Sequence, residues 1–525
     1  MTELSSKAIR MSNDATKDCY NMSNAPKNKI QQMARGLVPL LGASLLLGGC
    51  MVTPQPLSES ELALTAETNL ARVTQNQEPI SRSVSLYEAM ARSLKYNLDH
   101  KVEMMARDVA DAKLNVARSE MLPSLVANSH YSDRNNKPHS YSESLTGIRS
   151  ANPSTSRNQE SFTKDITFSW NILDFGLSYV RAKQAADQAM IAEEQKRKVV
   201  IRIMEDVRTA YWRAVSADRL LSGFQALEGR VEHALKNSRS LGNSGYTSPV
   251  AALTYQRELV DIKKQIQRLE RELKTSKIQL AALMNIPPNE QYSLVIPKRQ
   301  LSSLNIKIPS SEMTRLALQN RPEIREIAYK SRISEKEAEA ALLELLPGIQ
   351  LYAGANYDTN DFLLNSDWVS WGAKASWNLM KLFQYPAKKQ LVNADQGLND
   401  QRNLAMTMAI MTQVEVARAR YHYLRKSAQT AQQYHEIQSK ILKQVRGSAS
   451  SGAASEQSLI REEMNALVAS AEYDIAYSDL QNAFATIYAS IGVNPWGDYL
   501  DTNTDVGTLT SSLKQVWQER GDHGG

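Results

Sequence analysis

The sequence predicts a mainly helical protein with transmembrane β-strands, built from two tandem copies of one unit. Two landmarks occur once in each copy and in the same order: Leu122-Pro123 returns as Leu346-Pro347, and Ser169-Trp170-Asn171 returns as Ser376-Trp377-Asn378. The first landmark repeats after 224 residues and the second after 207, so the first copy has 17 more residues between its landmarks. Pro288 and Pro495 keep the offset of 207, which indicates that only one loop changed its length.

The amino-terminal segment has the order of a secretory signal. Lys27, Lys29 and Arg35 precede an apolar run over Leu37–Leu47, and Leu-Gly-Gly-Cys then ends at Cys50. The run is too short to span a bilayer, which needs about 20 residues. The small residues before Cys50 resemble the lipobox of bacterial lipoproteins, which implies that Cys50 is lipidated and becomes the first residue of the mature chain; the alternative is an ordinary signal peptide with an accidental cysteine.

Composition restricts the class of protein. Cys19 is the only other cysteine and precedes Cys50, so the mature chain is expected to form no disulfide of its own. The net charge is +6, half of it before residue 50, which is too weak a bias to indicate nucleic-acid binding. The order of features predicts a signal (1–49), a leader (50–84), a first repeat (85–288), a short belt (289–311), a second repeat (312–495) and a tail (496–525).

Each repeat begins with a helix that ends at a proline. Apolar residues recur at helical spacing over Ser85–Met121 and again over Glu312–Leu345, and Pro123 and Pro347 follow them. In the second copy Asn320-Arg321-Pro322-Glu323 predicts a kink or restart, because proline disrupts a helix interior.

After each proline the apolar period changes from helical to alternating, which predicts strands. The alternating apolar residues include Ile166, Phe168 and Trp170 in copy one, and Ile349, Leu351, Trp371 and Trp377 in copy two. Each strand is about ten residues long, as transmembrane β-strands are. A half-buried strand of a soluble sheet is the alternative reading. Four such strands with no other sheet to join favour the wall of a β-barrel, with Ser132–Phe162 as an exposed loop.

Long helical hairpins follow the strands. The first is predicted from Gly176 to about Ser240 and back over Ser248–Ile286, and the second over Pro386–Arg446 and Ser455–Val493. Small residues recur along these arms together with Leu, Ile and Val, which is typical of antiparallel coiled coils. Ser248 and Ser455 are in register as candidate helix caps.

The duplicated unit behind a lipobox resembles the TolC-like outer-membrane channels, the outer membrane factors of efflux pumps and type I secretion systems. The resemblance covers nearly all of residues 85–495. It depends on the Leu-Pro pairs, on Asn320-Arg321-Pro322-Glu323, on Trp170–Gly176 and on the glycine-bearing hairpin turns. Copy two departs from it where Lys381-Leu382-Phe383-Gln384 replaces the expected acidic-aromatic-glycine turn.

The resemblance implies a homotrimer in which each protomer gives four strands to a 12-stranded β-barrel and four long helices to a periplasmic tunnel. It also implies a periplasmic adaptor and an inner-membrane transporter as partners, and outer-membrane lipid around the strands. An oligomer is expected on physical grounds as well, because four strands cannot close a barrel and open edges in hydrocarbon leave backbone groups unpaired.

The turns between the long helices are candidate docking sites for the adaptor. They contain Gly242, Asn243, Ser244, Gly245, Tyr246, Ser448, Ser451 and Gly452. A plain turn without a partner is the alternative, since any helical hairpin needs Gly or Asn to reverse.

Charged residues after the second turn are candidates for a periplasmic gate. The resemblance would place aspartates where this chain has Ser458 and Arg461. We therefore expect a different set, consisting of Glu456, Arg461, Glu462 and Glu463, with Arg461 paired to a nearby glutamate such as Glu456. A solvated helix face is the alternative interpretation.

No pattern indicates catalysis, a cofactor or a metal. The seven histidines are scattered, and no glycine-rich phosphate loop precedes a helix. The competing class is a periplasmic adaptor or a structural envelope lipoprotein with helical hairpins and no channel, which the duplicated strand pairs disfavour.

Overall fold

The computed structural model describes residues 54–80, 83–243, 248–287, 290–301, 304–306, 308–494 and 503–522. The chain divides into two compact units, Met1–Arg72 and Val73–Gly525. In the described part of the first unit, helix α1 spans Glu59–Arg72 and buries none of its residues. Within the described residues, no helix combines the length and the apolar character that a membrane crossing requires.

The second unit holds both repeats. The elements before the belt are β1 (Ser83–Val84), α2 (Leu86–Tyr96), α3 (Leu98–Ser119), β2 (Ser124–Asp133), β3 (His139–Ser140), β4 (Ser154–Thr155), β5 (Glu160–Asn171), α4 (Ile172–Asn243) and α5 (Pro249–Leu283). The belt contributes β6 (Ser293–Leu294). The remaining elements are α6 (Ser310–Asn320), α7 (Pro322–Leu343), β7 (Gly348–Asp358), β8 (Asp367–Ser376), α8 (Met380–Ser450), α9 (Glu456–Ser490) and α10 (Val506–Glu519).

The helix expected over Ser85–Met121 is two helices, which corrects that prediction. Asn97 separates α2 from α3, and its side chain accepts a hydrogen bond from the backbone N–H of His100 at 3.2 Å. Arg321 lies 224 residues after Asn97 and separates α6 from α7, as the following Pro322 predicts. The two copies therefore break at equivalent positions, one through a side-chain cap and the other through a proline.

The asparagine of each Ser-Trp-Asn landmark marks the change from strand to helix. The Asn171 side chain accepts hydrogen bonds from the backbone N–H of Leu173 and Asp174, and Asn378 does the same for Met380 at 3.1 Å. Helices α4 and α8 thus start a few residues before the predicted starts, at Ile172 and Met380. Pro386 accordingly lies inside α8.

The four long strands form one antiparallel sheet in the order β2-β5-β7-β8. Facing residues such as Phe168, Ala353 and Trp371 share one apolar side of the sheet, whereas Thr167 and Gly354 lie on the polar side. Large apolar side chains on the sheet remain exposed, including Leu125 at 70%, Val369 at 75% and Trp371 at 83%. The predicted alternation is thus observed, with the apolar side uncovered by this chain.

The belt and the tail pack around the middle of the long helices. Strand β1 pairs in parallel with β6, and the Tyr211 hydroxyl of α4 donates to the Val295 carbonyl at 2.8 Å. Helix α10, which the sequence did not predict, packs on α2 and buries Leu509, Leu513 and Trp517. One hydrophobic core lies at this level and a second fills the hairpins toward their tips around Phe224, Ile266 and Ile460.

Candidate docking and gating site at the hairpin tips

The second tip is a compact turn that continues directly from α8. Gly447 and Ser448 belong to the last turns of this helix, and Ser451 caps its end. Gly452 has a φ of 76°, and its backbone N–H donates to the Ala449 carbonyl at 3.1 Å. Glycine adopts this left-handed conformation without steric cost, which explains its place at the turn.

The predicted caps of the return helices differ between the copies. The Ser455 hydroxyl accepts a hydrogen bond from the Ser458 N–H at 3.1 Å, as expected. Ser248 occupies the cap position of α5 but makes no side-chain cap, and Pro249 supplies the first helical residue. Proline suits this position because its missing N–H would lack a helical partner there.

The first tip lies only partly within the described residues. Gly242 and Asn243 form the end of α4, so the helix runs slightly farther than predicted. The candidate docking residues Ser244, Gly245 and Tyr246 fall outside the described residues, as does the candidate lipidation residue Cys50.

Arg461 pairs with Glu258 of α5 and not with Glu456, which corrects the predicted pairing. Glu456 and Arg461 are five positions apart on α9, so they point about 140° away from each other around the helix axis. Glu258 also accepts a hydrogen bond from Gln457 at 2.9 Å. The Arg461 hydrogen bond is the main cause that lowers the pKa of Glu258. This contact connects the return helices of the two hairpins.

Glu463 connects three of the four long helices. Its carboxylate contacts Arg230 of α4 and lies 3.3 Å from Arg446 of α8. The neighbouring Glu462 accepts a hydrogen bond from Gln438 of α8 at 2.6 Å. Glu456 stays exposed at the start of α9. Among the described contacts, Arg461, Glu462 and Glu463 thus each connect α9 to another long helix of the same chain, whereas Glu456 makes no such contact.

A second charged cluster, which the sequence did not reveal, fastens the belt to the hairpins. Arg219 of α4 and Arg299 of the belt both contact the carboxylate of Asp474 on α9. Arg219 also donates to the Pro297 carbonyl at 3.0 Å. Burial raises the pKa of Asp474, although both arginines oppose this effect. The members of this cluster are up to 255 residues apart in the chain, so no local sequence pattern could indicate it.

Among the described residues, no group of histidine, cysteine, aspartate and glutamate side chains is arranged to hold a metal ion. Tyr421 of α8 is buried, and its hydroxyl donates to the Leu304 carbonyl of the belt at 2.6 Å.

Comparison with known proteins agrees with this architecture. Residues 90–285 match the family model of the outer membrane efflux proteins. The fold is similar to the CmeC outer membrane channel of Campylobacter jejuni, with a TM-score of 0.63 at 14% identity over 89% of this chain and 98% of that one. It is also similar to CusC, with a TM-score of 0.60 at 17% identity over 80% of this chain and 96% of that one.

The open-state MtrE outer membrane channel of Neisseria gonorrhoeae gives a TM-score of 0.59 at 16% identity, over 80% of this chain and 95% of that one. No curated protein sequence matches the chain. The family match over residues 90–285 and the fold together make the chain similar to the outer-membrane efflux channels. The fold is that of the TolC-like outer-membrane channels.

Proposed function

We propose that three copies of this chain form the exit duct of a tripartite efflux pump or type I secretion system. The observation that carries the proposal is the four-stranded sheet, whose two outer strands β2 and β8 each have one edge unpaired within the described chain and whose apolar side is exposed. Such edges and such a side are stable in a membrane only if other copies pair with the edges and lipid covers the apolar side. The duct is passive, so an inner-membrane transporter supplies the energy.

The proposal includes a lipid on Cys50. In this arrangement the acylated residue holds each amino terminus at the periplasmic face of the outer membrane, and the long helices extend into the periplasm. The support is the signal-like segment that precedes Cys50 in the sequence.

The hairpin tips are the proposed contact with the periplasmic adaptor. They lie at the ends of α4 and α8, which begin at the sheet and span about 100 Å at 1.5 Å per residue. Cysteines at Ser244 and Ser451 should crosslink to the cognate adaptor. Crosslinking from a site near the sheet, but not from these two, would place the docking surface at the other end.

The charged contacts near the tips are the proposed gate. The Arg461 pair with Glu258 and the Glu463 contacts with Arg230 and Arg446 connect the hairpin arms in one chain. An opening motion that separates these arms must break the contacts, so they favour the closed state.

The exit-duct proposal is tested by the conductance of the purified protein in planar bilayers. We expect discrete channels and a heat-labile trimer on mild detergent gels. A monomer that never conducts would contradict the proposal and favour the alternative class, a periplasmic adaptor or a structural envelope lipoprotein. No specific contact of the described residues favours that alternative.

A further inference from the structure

A cavity of about 420 Å³ lies where α7 begins and where the long helices α4, α8 and α9 approach it. The lining includes Ile201 of α4, Pro322 of α7, Val416 of α8 and Thr486 of α9, and we call it the α7 cavity. Sites for small molecules in proteins have volumes of about 300 to 1,000 Å³. The α7 cavity is therefore large enough for a small organic molecule, and neither the described sheet nor the described tip residues line it.

Positive side chains dominate the lining of the α7 cavity. Lys198 and Arg202 come from α4 and Arg420 from α8. Among the residues that the structure describes, Lys198 and Arg420 form no ion pair with a carboxylate. Arg202 lies 3.6 Å from Asp99, and both of these side chains are mostly exposed. The cavity thus contains cations that the chain itself does not neutralise.

The two acidic residues of the lining do not cancel this positive charge. Glu323 is already paired, because it accepts hydrogen bonds from Arg321 at 2.8 and 2.9 Å. Burial raises the pKa of Glu205, which disfavours its charged form. Helix α7 begins at Pro322, and the amino-terminal end of a helix carries partial positive charge. An anion is therefore the ligand that the lining favours.

The first repeat has an equivalent cavity at the start of α3, of about 530 Å³, whose lining is more acidic. Offsets of 224 and 207 residues relate the two linings, so that Asn97 corresponds to Arg321, Asp206 to Gln413 and Arg213 to Arg420. Asp99 and Asp206 line this α3 cavity, whereas the α7 cavity has Gln413 at the second position. Both cavities have the same backbone surroundings, so the fold does not require the positive charge of the α7 cavity.

The α7 cavity lies on the side of the long helices that faces away from the belt. On α9 the Tyr477 hydroxyl accepts a hydrogen bond from the Gln300 backbone N–H of the belt at 3.4 Å. Thr486 is nine residues farther along, which is about half a turn around the helix axis. On α4 the same spacing separates Arg202 from Tyr211, which donates to the belt. A belt inside a tunnel would obstruct it, so in the proposed duct the cavity faces the tunnel.

We propose that the α7 cavity binds small amphipathic organic anions, such as a carboxylate attached to an apolar ring, as they pass through the duct. Arg420 and Lys198 pair with the carboxylate from opposite helices, and Ile201 and Val416 cover the ring. A guanidinium suits this role because it can donate two parallel hydrogen bonds to one carboxylate. This inference rests on the proposed duct and names a class of substrate for it.

Equilibrium dialysis of the purified trimer with 1-naphthoate tests the site, because this fluorescent anion has one carboxylate and one apolar ring. R420A should raise the dissociation constant at least about tenfold, since it removes a charged hydrogen-bond donor. Q413D should have a similar effect, because it copies the carboxylate that Asp206 gives to the α3 cavity. Arg420 and Gln413 are both exposed, so we expect both variants to fold.

The matched controls are R213A and D206N, at the equivalent positions of the first repeat, and each should change the dissociation constant by less than about threefold. The uncharged 1-naphthalenemethanol should bind at least about tenfold more weakly than 1-naphthoate. Equal binding by all four variants, or equal binding of the two compounds, would overturn the site. A trimer that conducts but does not bind 1-naphthoate would reject the site and leave the duct intact. Binding that R420A abolishes, in a protein that never conducts, would support the site and reject the duct.

Discussion

Arg208 and Asp522 form an ion pair that the protein encloses completely. Their side chains are 1% and 0% exposed, and the joining nitrogen and oxygen atoms lie 2.7 Å apart. Arg208 also donates to Gln481 of α9 at 3.0 Å and stacks on Trp517 of α10 at 4.4 Å. The carboxyl-terminal segment is thus fastened to the middle of α4.

We expect D522N to lower the free energy of unfolding by about 3 to 5 kcal/mol, because it leaves the Arg208 charge buried without its counter-ion. The control is K514Q, an exposed change on the neighbouring helix α10, which should stay within about 0.5 kcal/mol. Thermal unfolding of both variants in detergent measures the difference. Equal melting temperatures would show that the pair does not stabilise the fold.

Substitution of glycine by alanine should have opposite effects at two positions. Gly492 has a φ of 73°, and a Cβ there would lie 2.6 Å from the Arg321 backbone nitrogen. G492A should therefore destabilise the protein by more than about 1 kcal/mol. Gly229 lies exposed inside α4 and has nothing within 4 Å of the place that an alanine methyl group would take, so G229A should stabilise by about 0.5 to 1 kcal/mol. Chemical unfolding of both variants tests this, and a shift of the same sign in both would refute it.

Breaking the contact between Arg461 and Glu258 should loosen the closed tip. E258Q keeps the shape of the side chain but removes its charge, so we expect higher conductance at neutral pH than in the parent. E456Q is the control because Glu456 is exposed and outside this contact. Conductance of E258Q equal to that of E456Q would mean that the pair is only a solvated contact.

The same pair predicts a pH dependence with a defined sign. Arg461 lowers the pKa of Glu258, so the contribution of the pair is complete above the ordinary carboxyl pKa of about 4.3. It is lost as the pH falls through the lowered value. The parent channel should therefore become leakier only in acid, and E258Q should show less of this change. Equal pH profiles in the two proteins would contradict the assignment.

Removal of the candidate lipid anchor should affect assembly more than conduction. C50A is expected to abolish incorporation of labelled fatty acid, since Cys50 is the only cysteine after the signal-like segment. C19A is the matched control and should keep the label. Assembled C50A trimers should still conduct, because the strands insert without the anchor. Label that persists in C50A would contradict lipidation at this residue.

Much of the fold could be predicted because the apolar residues recur at regular spacings. The change from helical to alternating spacing at Pro123 and Pro347 marked the strands, and the duplication placed one pair of them in each copy. The break at Asn97 was missed because a side-chain cap, unlike the proline beside Arg321, leaves the apolar period uninterrupted. Helix α10 was not predicted because the role of its apolar face can be recognised only once the helix packs on α2.

The candidate site was less accessible to sequence reasoning. The tip residues follow from local chemistry, as the left-handed Gly452 and the cap at Ser455 show. The partner of Arg461 does not, since Glu258 lies 203 residues away on another hairpin. Charge pairs across a coiled coil depend on the rotation of each helix, and a difference of one position moves a side chain by about 100°.

The β2–β5 and β7–β8 hairpins pair in equivalent registers, with Ser124 opposite Ser169 and Gly348 opposite Ser376. Substitutions at equivalent positions can nevertheless act differently. Strands β5 and β7 belong to one chain, so their pairing is an intramolecular step. A substitution that weakens this pairing therefore affects folding regardless of protein concentration. In the proposed assembly, a contact between copies forms in a bimolecular step, so the effect of a substitution there depends on expression level. Equivalent positions of the two copies can therefore produce different phenotypes, one insensitive to gene dosage and the other rescued by it.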